Sequence, residues 1–120
     1  MLLLVSCKSY TIEPSSFKAQ LLLTELHPKA VFGEYEGGAY LGSNIKDLIV
    51  LNSKNESVIL NTENPIKLKI TAKNGLKNTY YLNMIAFAHD SIRGMGPTYF
   101  AGGMIYKIHI DSIASIKVKP

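Results

Sequence analysis

Period-two alternation, broken at short intervals by turn-forming residues, most narrows the folds open to this chain. Ile66 to Ala72 reads IKLKITA and Ser115 to Lys119 reads SIKVK, so lysines alternate with Leu68, Ile70, Ile116 and Val118. Successive side chains of a strand point to opposite faces of its sheet. The pattern therefore predicts strands with an aliphatic face on a core and a lysine face in solvent.

The same logic carries along much of the chain. Leu48 to Leu51 and Ser57 to Leu60 are aliphatic runs separated by Asn52-Ser53-Lys54-Asn55-Glu56, the spacing of a hairpin with a polar turn. Asn64-Pro65 breaks that unit, and Lys73-Asn74-Gly75 supplies residues that tolerate a positive φ after the strand at 66–72. TYYLNMIAFA, Thr79 to Ala88, is apolar on both faces, as expected of a central or strongly bent strand. His89-Asp90 predicts a turn and Ser91-Ile92-Arg93 a short strand. Gly94 to Gly103 reads as a loop and Met104 to Ile110 as a strand. Asp111 to Ala114 fits one turn of helix, and Ser115 to Lys119 a last strand.

Upstream, Glu13-Pro14-Ser15-Ser16-Phe17 predicts a helix start with Ser15 or Ser16 as the cap. Phe17, Leu21 and Leu22 would form its apolar side, and His27-Pro28 would stop it after about Leu26. Leu21-Leu22-Leu23 is compatible with a strand as well. In VFGEYEGGAYLG the glycines fit turns around a short strand. No Gly-Lys-Ser or Gly-Lys-Thr follows them, which argues against a phosphate-cradling loop, and no other cofactor motif is present.

With 47% apolar and 18% charged residues, a chain of 120 can bury a core and is not expected to be disordered. After Val5 no apolar run approaches the roughly 20 residues needed to span a bilayer. Charge is uneven: five lysines face seven carboxylates up to Pro65, whereas seven lysines and Arg93 face only Asp90 and Asp111 beyond it. A basic half can favour nucleic acid or anionic lipid. The alternation of the lysines with core residues instead predicts the solvated side of strands.

The amino end, MLLLVSCKSY, carries the only cysteine, which cannot form an internal disulfide. Leu4-Val5-Ser6-Cys7 resembles the lipobox of bacterial lipoproteins. That resemblance implies acylation of Cys7, a membrane anchor and a place in the cell envelope as an outer-membrane lipoprotein, with a protein partner there. Lys8 to Pro14 would then be a polar tether. The stretch departs from the family in having no basic n-region and only Met1 to Val5 as its apolar part. This raises the expectation that the reading frame extends upstream. The alternatives are a first strand with Cys7 in the core, or a free thiol.

The five strands expected after Asn64-Pro65, with a helical turn before the last, look like a small SH3-like or Sm-like barrel. Ile108 to Val118 and Asp90-Ser91-Ile92-Arg93-Gly94 resemble short motifs of small Bacteroidota-type lipoproteins. The expected fold class is thus mainly β: a barrel of about five strands preceded by a short helix and a β-hairpin. The expected organisation is a signal remnant and tether at 1–14, a helix and hairpin at 15–65 packed on the barrel, and the barrel itself at 66–120.

Candidate chemistry is sparse. His27, His89 and His109 show no His-Glu-x-x-His spacing, and no Gly-x-Ser-x-Gly elbow marks a hydrolase, so neither a metal site nor a catalytic set is expected. Arg93, Met95, Tyr99 and Phe100 in or beside the glycine-rich loop form a candidate surface for a peptide or a single strand. The competing reading folds Tyr99 and Phe100 back over the core. The leading expectation is a non-catalytic, lipid-anchored protein with a structural or interaction role. Its rivals are a cytoplasmic Sm-like nucleic-acid module using the basic half, and a small hydrolase or metal-dependent enzyme using His89, Asp90 and His109.

Overall fold

A computed structural model describes residues 9–26, 38–94, 100–101, 104–105 and 107–120. The chain is mainly β. Its strands are β1 (Tyr10–Ile12), β2 (Tyr40–Leu41), β3 (Asp47–Leu51), β4 (Ser57–Asn61), β5 (Lys67–Ala72) and β6 (Lys77–Tyr81). They continue with β7 (Ile85–Ala88), β8 (Ser91–Gly94), β9 (Phe100–Ala101), β10 (Met104–Ile105), β11 (Lys107–His109) and β12 (Ile113–Lys119). One α-helix, α1 (Pro14–Leu22), follows β1 directly.

The strands form a six-stranded antiparallel sheet in the order β4-β3-β1-β12-β5-β6 and a four-stranded one in the order β11-β8-β7-β2. The pair β9-β10 stands apart. The expected five-stranded barrel is not what these sheets make: they hold ten strands and do not close among the described residues. The reason lies in β1. It pairs with β12 through Tyr10↔Val118, Thr11↔Lys117 and Ile12↔Ile116, and with β3 at Thr11↔Leu51. The hairpin β3-β4 is thereby added to the sheet that holds β5, β6 and β12, leaving β4 and β6 as edges.

That placement corrects the expected tether. Tyr10 and Ile12 are buried while Thr11 is exposed, so the alternation of a strand begins at Tyr10, and only Lys8 and Ser9 separate it from Cys7. Cys7 itself lies outside the described residues. The helix start also differs. Glu13, not Ser15 or Ser16, is the capping position and offers no side-chain hydrogen bond, while Pro14 occupies the first helical position. Proline suits that site because its fixed φ is already helical and its missing N–H has no helical partner to lose. Helix α1 ends at Leu22, earlier than expected, where the Thr24 hydroxyl and backbone N–H both donate to the Leu21 carbonyl, at 2.7 and 3.0 Å. Phe17 and Leu21 are fully buried, whereas Leu22 is 44% exposed.

Three passages of the chain between the sheets share one device. Three single turns of 3-10 helix, Gly42–Asn44, Leu82–Met84 and Ile110–Ser112, each join a strand of one sheet to a strand of the other. Residues on either side of each turn are extended, and its first residue and the one just after it are buried: Gly42 and Ile45, Leu82 and Ile85, Ile110 and Ile113. In a 3-10 turn residues three apart lie on one face, so each corner points two groups into the core. The strand expected over Thr79 to Ala88 is therefore two strands bent at Leu82–Met84. The helical turn expected at Asp111 to Ala114 lies one residue earlier. One continuous core joins Phe17 and Leu21 of the helix to Leu48, Val50, Leu68, Ile70, Tyr80, Ile116 and Val118 of the larger sheet, with Ile85 and Ile92 of the smaller.

Candidate interaction surface

The residues singled out around the glycine-rich loop do not come together as a described surface. Met95 and Tyr99 lie outside the described residues. The backbone of Phe100 pairs with Ile105 in the β9-β10 ladder, within the stretch expected to be a loop. Arg93 is a correction: it is only 7% exposed on β8, between Ala86 and Lys107 in register, and so is not a cation presented to solvent beside the loop.

Of the histidines, His27 is outside the described residues. His89 and Asp90 both take positive φ, 51° and 57°, in the two-residue turn between β7 and β8. This is the backbone of the turn type whose twist matches paired strands. The Asp90 carboxylate reaches Lys18 Nζ of α1 at 2.8 Å. The Asp111 N–H donates to His109 Nδ1 at 3.1 Å, and the Asp111 carboxylate stands 3.7 Å from the same nitrogen. These side chains are substantially exposed, and no group of three metal-ligating residues occurs among the described residues.

The Lys18 hydrogen bond and charge hold the Asp90 carboxyl below its ordinary 3.8, and the hydrogen bond and charge of Asp90 in turn raise Lys18 above 10.5. A lowered carboxyl contributes above its unfolded value and stops contributing as pH falls through the folded one. A raised amine contributes below 10.5 and is lost as pH rises through its folded value. The link between α1 and the β7-β8 turn thus persists across the neutral range.

A cavity of about 70 Å³ sits where the corner at Gly42–Asn44 meets that at Leu82–Met84 and the β4-β5 connection, with Ser43, Thr62, Glu63 and Asn83 in its wall. Small-molecule sites usually need about 300 Å³ or more, so this space suits water rather than an organic ligand.

The outer face of the six-stranded sheet is more distinctive. Strand β12 pairs with β5 so that Lys117 lies directly opposite Lys69 and Lys119 opposite Lys67. All four are exposed, while Leu68, Ile70, Ile116 and Val118 on the reverse face are buried. Lys77 on β6 stands opposite Thr71, one diagonal step from Lys69. Directly opposed side chains start about 5 Å apart, and neighbours along a strand about 7 Å apart. Four lysine side chains are therefore rooted on neighbouring positions of two adjacent strands. None of them forms an ion pair among the described residues; the carboxylates on this side there are Asp47, on β3, and Glu13, exposed and extended just after β1. Sequence alternation showed each pair of lysines to be exposed; the register that sets one pair against the other was not visible in it.

No helix among the described residues is long and apolar enough to cross a membrane. Comparison with family models, with curated proteins and with solved structures found no match.

Proposed function

We propose that this is a lipid-anchored protein of the bacterial cell envelope, of the outer-membrane lipoprotein type, acting by non-catalytic contact. Cys7 is its acylation site and a protein of the envelope its partner. The observation that carries the reading is Leu4-Val5-Ser6-Cys7, small and aliphatic residues leading to the only cysteine. One acyl chain holds a protein to a bilayer only reversibly, and a second makes the attachment stable. The folded part is read as an SH3-like or Sm-like unit enlarged by β1, β3 and β4. Supporting this are the pairings β12-β5-β6 in one sheet and β7-β8-β11 in the other, with a 3-10 turn before β12.

Metabolic labelling with a palmitate analogue and detergent phase partition, on the wild type and Cys7→Ser in a bacterial host, test the anchor. Label and detergent partition are expected for the wild type and should both vanish in the variant. Unlabelled protein that stays aqueous in both cases would sink the reading.

A further inference from the structure

We propose that the lysine face formed by β5 and β12 is a docking surface for anionic phospholipid headgroups. Two opposed lysine pairs are an unfavourable choice for a sheet, because like charges directly across strands repel. An arrangement that costs stability and whose four lysines make no ion pair among the described residues is suited to an external anion. An extended anionic surface matches it better than a single ligand, since the lysines repeat along two neighbouring strands.

The path of the chain favours a membrane over nucleic acid. Tyr10 of β1 pairs with Val118, so continuing that register sets Ser9 beside Lys119. The chain toward Cys7 thus leaves the described fold at the sheet end that carries Lys119 and Lys67. Only Lys8 and Ser9 lie between Cys7 and β1. An acyl chain at the amino end and a basic patch on the same end of a domain are two signals that together hold a protein at an anionic bilayer. The docking rests on the anchored reading in one respect only, the side from which the chain approaches the bilayer.

The test separates the two. Full-length Cys7→Ser, which cannot be acylated at that position, is sedimented with vesicles of phosphatidylglycerol and phosphatidylethanolamine and with vesicles of phosphatidylcholine alone. Binding is expected to the anionic vesicles only, and to fall steeply with added salt. Adding Lys69→Thr and Lys117→Thr should weaken it about 10- to 30-fold. Adding Lys46→Thr and Lys107→Thr, which remove the same charge elsewhere, should have a much smaller effect. Thermal unfolding of the Lys69→Thr/Lys117→Thr protein should be unchanged or shifted upward, since the repulsion is relieved, so lost binding cannot be put down to lost folding. No anionic preference, or equal losses in the two double variants, would overturn the proposal. So would tighter, face-dependent binding of a single-stranded oligonucleotide than of the anionic vesicles. A failed acylation assay leaves each of these results readable.

Discussion

Two glycines show how the same residue type answers different physical demands. Gly42 opens the first corner, and a Cβ there would land on the Leu82 carbonyl oxygen and 2.7 Å from Ile85 Cγ1. Gly75 has φ +92° and nothing near the place of a Cβ. Gly42→Ala must therefore push two corners apart, at about 2–3 kcal/mol. Gly75→Ala meets only the backbone cost of a left-handed residue, about 1 kcal/mol. Urea unfolding of both variants checks the order; an equal or reversed ranking would refute the packing argument. Lys73-Asn74-Gly75 was readable as a turn because the tripeptide is itself the signal. The role of Gly42 was not, because the atoms that exclude a side chain there lie forty residues away in the chain, at Leu82.

At the level of elements, β1 is short and α1 starts at once, so β3 is left with backbone groups that no strand covers. Gln20 covers them. Its Oε1 accepts from the Ile49 N–H at 2.9 Å and its Nε2 donates to the Ile49 carbonyl at 2.9 Å, reproducing the two bonds of a missing strand residue. Gln20→Ala should cost about 1–2 kcal/mol. Gln20→Glu should cost more at neutral pH than at low pH, because an ionised carboxylate cannot donate to that carbonyl and is repelled by it. Denaturant melts at two pH values read the difference, and a pH-independent effect would count against the geometry. The strands after Asn64-Pro65 were legible because alternation and turn residues coincide there. Strand β1 was not: three residues, Tyr10-Thr11-Ile12, carry too little periodicity to be told from a tether. The corners are visible in retrospect as Gly-Ser-Asn-Ile, Leu-Asn-Met-Ile and Ile-Asp-Ser-Ile, three tetrapeptides each with a polar second residue and ending in isoleucine. Of these, only the last had been read as a helical turn.

On the scale of the whole molecule, the six-stranded sheet draws β1, β3 and β4 from before residue 66 and β5, β6 and β12 from after it. Ile116 and Val118 pack with Ile12 and Tyr10 in register, and Phe17 and Leu21 complete the same core. A fragment of residues 66–120 should therefore lack a cooperative thermal transition. Near-ultraviolet circular dichroism during heating measures this, and a sharp melt of the fragment would show the earlier strands to be dispensable. The lysine face belongs to this scale as well. Exposure of each lysine follows from local alternation, but their assembly into one patch follows from which strands become neighbours.

The position of β1 also has a mechanical consequence. Its first residue is the point where any pull on the amino end enters the folded body, and the strand is gripped on both flanks, by β12 and by β3. Tension along it would strain those hydrogen bonds side by side and simultaneously, instead of peeling an outer strand away one rung at a time. A tug on the amino end is thus shared by the middle of the molecule, and the grip should yield late and abruptly.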